Sequence, residues 1–325
     1  MTLSKHSLVA LALTCTTASS SAWQTTFRSG VEVVTVTVSV RDGNKVVTGL
    51  DAADFQVTDN GVVQTVSRAD ADTVPVDVTL VLDSSGSTES LIDQFRRDTQ
   101  QIAALLRPVD RLRLLAIDTF AHELMPMQPA GGPVILEGAP SGGLTALYDT
   151  LAASLMSPLN IDRRHLVVAM TDGIDTYSAL RPDALRLVAT RADAVLHVVH
   201  ARSRFMGTPM YLPPDRRYAL IPYNQRHFER VIWGPLDASM RAAYLDLDEN
   251  WLRRLAESTG GQLHGPTLLG TGTVGAFTRV FNEFRQSYLL RFTPEGVDRA
   301  GWHELKVTVQ KSPRLTVRAR SGYSR

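Results

Sequence analysis

Four short apolar runs, at residues 76–82, 112–117, 166–170 and 194–199, set the strongest limit on how this chain folds. None keeps the apolar–polar alternation of a strand with one wet face, and each is too short for an ordinary helix. Strands buried on both faces read this way. Helical patterns lie between and after them. Leu91, Phe95, Ile102 and Leu106 recur at spacings of four and seven until Pro108 stops the pattern. "TALYDTLAASLM" and "RPDALRLVATRA" give two more helices, and "NWLRRLAEST" and "GAFTRVFNEFRQS" follow further along. Buried strands alternating with helices predict an α/β domain with a doubly wound, mostly parallel sheet covered on both faces.

The text on either side of this core differs. In "VEVVTVTVSV", Val34, Val36, Val38 and Val40 share one face and Thr35, Thr37 and Ser39 the other, the pattern of a half-buried strand. "RDGNK" is a turn, and "DNG" between "FQVT" and "VVQTV" is a strong hairpin signal. The chain ends in strand-like "YLLRFTP", "HELKVTV" and "RLTVRAR". These readings divide the chain into a β segment at 23–73, an α/β domain at 74–285 and a second β segment at 286–325, the two β segments meeting as a small β-sandwich. Residues 201–247 interrupt the α/β domain with prolines and with arginines such as Arg204, Arg217 and Arg230 set among Tyr211, Tyr218 and Trp233. A loop of that length reads as a functional insertion or a disordered one, and if functional as a rim that contacts a protein.

The first 22 residues stand apart. Lys5 and His6 precede "LVALAL", and a Ser/Thr/Ala-rich stretch ends in "SSSAW", with Ser20 and Ala22 where a signal peptidase reads. Cleavage before Trp23 would export the chain to the periplasm or the medium, with no transmembrane anchor left behind. It would also remove Cys15, the one cysteine, and with it disulfide and thiol chemistry. Thr14 is a poor residue to precede a lipid-carrying cysteine. A net charge of +1 gives no electrostatic footprint for nucleic acid.

Chemistry concentrates at strand ends. "DVTLVLDSSGSTE" closes a buried run on Asp83, with Ser85 and Ser87 at the second and fourth positions after it. "VVAMTDGID" closes another on Asp172, and Thr145 lies in the glycine-rich loop "SGGLTALYDT" just before a helix. Open parallel sheets bind ligands at the carboxyl ends of their strands, so three loops can bring these five residues together. All five offer oxygen, which suits a hard cation, Mg²⁺ or else Mn²⁺ or Ca²⁺, rather than zinc. Two carboxylates and three hydroxyls leave coordination open for a carboxylate from a partner.

"DSSGS", "TALYD" and "TDGIDT" resemble the three pieces of the metal-ion-dependent adhesion site of von Willebrand factor type A domains: Asp-x-Ser-x-Ser, then Thr, then Asp. They fall on Asp83, Ser85, Ser87, Thr145 and Asp172. In that family the hydroxyls contact the metal directly and the aspartates directly or through water. The segment from "VTVSVRDGNK" to "DNGVVQTV" and the ending "YLLRFTP…WHELKVTVQ…VRARSGY" resemble the flanking β segments of the exported VWFA-related proteins of acidobacteria. The resemblance spans nearly the whole chain after residue 22, residues 201–247 excepted. It implies metal-dependent capture of a protein ligand that offers an acidic side chain, without catalysis.

Competing classes read less well. A scaffold subunit with an empty or purely structural site shares every feature except metal-dependent capture. Ser85 has neither a Gly-x-Ser-x-Gly frame nor an evident histidine partner for hydrolysis, and a phosphatase of the aspartyl-phosphate type resembles Asp-x-Asp where this chain has Ser85. His197 and His200 in "HVVH" stand three apart on a strand, face opposite sides and cannot share a metal. "DLDEN" at 246–250 reads as an acidic helix start.

Overall fold

The structure, a computed structural model, describes residues 33–71, 74–85, 92–134, 142–156, 160, 162–202, 250–268, 273–312 and 314–324, with the side chains of 92–96, 201–202 and 266–268 left out. Five strands come first: β1 (Val34–Asp42), β2 (Lys45–Val46), β3 (Phe55–Asp59), β4 (Val62–Gln64) and β5 (Val66–Ala71). In β1 the four alternating valines are buried and Thr35 and Thr37 are half-buried, as the pattern requires. Asn60 and Gly61, with φ of 46° and 82°, make the tight turn joining β3 to β4.

A six-stranded sheet follows, built from β6 (Val76–Asp83), β7 (Arg111–Ile117), β8 (Ala121–Pro129), β9 (Arg164–Thr171), β10 (Val195–Arg202) and β11 (Leu263–Leu268). Its order is β11-β10-β9-β6-β7-β8. Every neighbouring pair runs parallel except β7 and the edge strand β8. The helices are α1 (Ile92–Ala104), α2 (Leu147–Leu155), α3 (Pro182–Arg191), α4 at 250–258 and α5 (Thr273–Gln286).

Side chains on successive strand positions point to opposite faces. On β6, Val76, Val78, Leu80 and Leu82 therefore join Ile102 of α1 and Phe277 and Phe281 of α5 in one apolar cluster. Val81 joins Leu147 and Leu151 of α2, Leu185 of α3 and Leu252 and Leu255 of α4 in another. The sheet is thus sealed on both faces, which is why its central strands lack alternation.

After α5 the chain returns through β12 (Tyr288–Phe292), β13 (Trp302–Val309), β14 (Thr316–Arg318) and β15 (Gly322–Ser324). One sheet runs β14-β1-β12-β5 and another β15-β13-β3-β4. Both contribute to a third cluster, which includes Val36, Val38, Phe55, Val57, Leu290, Phe292, Leu305 and Tyr323. Strands from the two ends of the sequence are therefore interleaved, with β12 hydrogen-bonded between β1 and β5.

The amino ends of the parallel strands carry a charge network. Arg111 and Arg163 both ion-pair with Asp77, and Arg107 and Arg285 with Asp110, which also accepts the Val76 N–H. Arg164 lies over the Phe284 ring and donates to the carbonyls of Phe284 and Ser287, which satisfies the carbonyl end of α5. Burial alone would raise the carboxyl pKa of Asp77 and Asp110, yet arginines hold both below the ordinary value, helped at Asp110 by the Val76 and Arg107 N–H groups. A depressed folded pKa means the unfolded chain binds more protons. The stabilisation is then complete above the unfolded carboxylate pKa near 3.9 and is lost as pH falls through the folded values. Thermal melts from pH 5 to pH 2 are expected to show this acid loss, with a shallower slope in Asp77→Asn.

Candidate metal centre

Asp83, Ile117, Thr171 and His200 stand level at the carboxyl end of the six-stranded sheet. Asp83 pairs with Ile117, the preceding Leu82 pairs with Met170, and Thr171 pairs with His200. Three loops leave this edge and are stitched together by backbone bonds. Ser84 N–H donates to Ile117 at 2.9 Å, Gly142 N–H to the Ser84 carbonyl at 2.9 Å, and Ala146 N–H to the Asp118 carbonyl at 2.8 Å. Thr176 and Tyr177 N–H both reach the Thr145 carbonyl, at 2.9 and 3.0 Å. Asp83, Ser85, Thr145 and Asp172 are therefore brought to one edge, all of them buried. Ser87 and the insertion lie outside the described residues, as does the first segment with its signal-like pattern.

Asp83 is fully buried and accepts hydrogen bonds from neutral donors. Oδ1 accepts the Ser85 hydroxyl at 2.6 Å and the Ser85 N–H at 3.1 Å; Oδ2 accepts the Thr171 hydroxyl at 2.6 Å. Burial pushes its pKa up, and these bonds, with the Asp172 N–H, only partly oppose the rise. A divalent cation would reverse that balance. The hydroxyl geometry fits one as well. A serine oxygen bound to a metal still needs an acceptor for its proton, and Asp83 is that acceptor for Ser85.

Thr145 is held by its backbone. Its N–H donates to the Thr176 hydroxyl at 2.8 Å, and its own hydroxyl has no hydrogen bond among the described residues. Asp172 starts a tight turn in which Oδ1 accepts the Ile174 N–H at 3.1 Å. Gly173 follows with φ of 83°, where a Cβ would also come within 2.9 Å of Leu252, so glycine is required. Among the described residues no three His, Cys, Asp or Glu side chains gather in a metal-ligand cluster, so an ion here would depend on hydroxyl oxygen.

Some of the supporting residues carry no motif. Thr171 donates to Asp83 and also accepts the Gly173 N–H at 3.0 Å, which ties the two carboxylate loops together. Asp175 and Ser178 reach the start of α2, accepting N–H bonds from Tyr148 at 3.2 Å and Asp149 at 3.1 Å. They cap a helix whose own preceding residue, Ala146, cannot. A threonine just before the second aspartate, and Asp and Ser three apart after it, are the sequence signals that could have found them.

The two flagged histidines separate, as their spacing requires. His197, on the Val195/Val199 face of β10, hydrogen-bonds His264 at 2.8 Å in a stacked pair. Burial holds both imidazoles below their ordinary pKa, His264 at about 4. His200 shares a hydrogen bond of 3.0 Å with the Asp172 carbonyl and so braces the site loop from behind. Of the acidic stretch at 246–250, only Asn250 is described, and it opens α4.

No family model and no curated protein sequence matches the chain. Solved structures do. A von Willebrand factor type A protein from Catenulispora acidiphila is similar at a TM-score of 0.45 and 9% identity, over 90% of this chain and 73% of that one. The conserved hypothetical protein BatB from Bacteroides thetaiotaomicron is similar at 0.41 and 13% identity, over 64% and 98%. A mutant of the PilB minor pilin from Streptococcus sanguinis is similar at 0.43 and 12% identity, over 66% and 62%. A type A protein is among the solved structures to which this chain is similar.

Proposed function

We propose that this chain is an exported, non-catalytic binding protein of the type A kind, with a doubly wound domain that captures a protein ligand through a divalent cation. Asp83, Ser85, Ser87, Thr145 and Asp172 hold the ion, Mg²⁺ foremost and Mn²⁺ or Ca²⁺ as substitutes. An acidic side chain from the partner fills the remaining coordination. The observation that carries this reading is the pair of hydroxyls on Asp83, those of Ser85 and Thr171 at 2.6 Å each, at a fully buried carboxylate. Two buried carboxylates at one strand edge, with hydroxyl oxygens beside them, form a set that suits a hard cation.

Mn²⁺, followed by electron paramagnetic resonance in the metal-stripped protein, gives the test. The expected result is a single class of bound ion in the wild type, weakened at least tenfold in Thr145→Val. That substitution removes one hydroxyl and leaves the backbone bonds of Thr145 in place. Equal binding by both proteins would remove Thr145 from the site.

A further inference from the structure

A cavity of about 340 Å³ opens near the opposite end of the six-stranded sheet. Its lining comes from β1, from the turn into β9, from the end of α3 and from the last strands of the chain. Four arginines, Arg163, Arg164, Arg191 and Arg320, line it against one aspartate, Asp193. Seven residue steps along β9 separate Arg164 from Thr171, which places the cavity roughly 23 Å from the candidate metal edge at ordinary strand rise. It is a second place, with chemistry opposite to the first.

Much of that positive charge has structural work. Arg163 pairs with Asp77, and Arg164 binds the carbonyls at the end of α5. The other two have capacity left. Arg320 is 9% exposed, pairs with Asp193 and donates to the Thr35 carbonyl at 2.9 Å, yet its buried Nε has no hydrogen-bond partner. A buried guanidinium N–H without an acceptor is costly unless something supplies one. The side chain of Arg191, in the last turn of α3, makes no hydrogen bond or ion pair among the described residues. His165 also lines the cavity and is held below its ordinary pKa by burial first, with Arg111 and Arg163 adding to the effect, so it brings no charge to compensate.

We propose that this cavity binds the anionic oxygens of a small organic molecule, with Arg191 as the donor and the Arg320 guanidinium lining the wall beside it. The guanidinium fork matches planar carboxylate and phosphoryl oxygens. The volume suits a small metabolite and not a chain segment. Asp193 orients Arg320 and sets one wall.

The test is calorimetric titration of the full chain in EDTA with inorganic phosphate and, separately, with succinate, at ionic strength fixed with sodium chloride. Saturable binding of one or both is expected, weakened at least tenfold in Arg191→Glu and unchanged in Asp83→Asn. Tighter phosphate assigns the phosphoryl class and tighter succinate the carboxylate class. No saturable binding of either, or binding that Arg191→Glu leaves unaltered, overturns the proposal. Arg191 is exposed, so its replacement leaves the fold intact; equal melting temperatures of variant and wild type confirm that the comparison is fair.

Discussion

Asp83→Asn is expected to abolish cation binding while leaving the metal-free protein at least as stable as the wild type. Most substitutions of a fully buried, hydrogen-bonded side chain destabilise. This one removes a buried charge and keeps its shape, and the Ser85 and Thr171 hydroxyls that donate to it can rotate to suit an amide. Burying a carboxylate opposes folding, so losing its charge removes a cost that a bound cation would otherwise offset. With Mg²⁺ added, the order reverses. A ligand that binds only the folded state stabilises it by about 2.7 kcal/mol at a hundred times its dissociation constant, and only the wild type gains this. Melts of both proteins with EDTA and with Mg²⁺ check the prediction. A variant that melts well below the wild type in EDTA would show that Asp83 holds the strand end for structural reasons alone.

The largest loss of stability is expected from Gly261→Ala. α4 ends in a left-handed turn at Gly260, after which the Gly261 N–H returns to the Ala256 carbonyl at 3.0 Å. Leu196 N–H is taken by the Thr259 hydroxyl at 2.9 Å, so the chain passes directly over β10 before pairing with it. A Cβ at 261 would sit 1.8 Å from the Leu196 carbonyl oxygen. Backbone cannot give way as a side chain can, so β10 or the start of β11 must move. A loss of about 4 kcal/mol or more is expected, a large share of the roughly 5–15 kcal/mol that holds a domain. Gly275→Ala is the contrast. Its Cβ would meet only the Arg279 side chain, at 3.8 Å, inside α5. There the gain in helix propensity is expected to stabilise by up to about 1 kcal/mol. Denaturant unfolding of the two variants separates close approach from backbone freedom.

The four central strands were legible because each is buried on both faces and keeps no alternation. β8 was not. In "AHELMPMQP" two prolines and a mostly wet surface mask an antiparallel edge strand. β11 is hidden by the Gly-Pro inside "LHGPTL", and β15 is only three residues long. The terminal strands were readable one by one, but their partners were not. That β3 pairs with β13, bringing Phe55 opposite Val309, is set by packing between the two ends of the chain and not by any local pattern. At the candidate site the carboxylates and Thr145 carry a motif. Thr171, Asp175 and Ser178 act through hydrogen bonds to other loops, and only their places just before and after Asp172 mark them in the sequence.

The most direct measurement is calorimetric titration of Mg²⁺ into the metal-stripped full chain beside Asp83→Asn. The account predicts one saturable site in the wild type and none in the variant. Equal heats from both proteins, or no binding by the wild type, would contradict it.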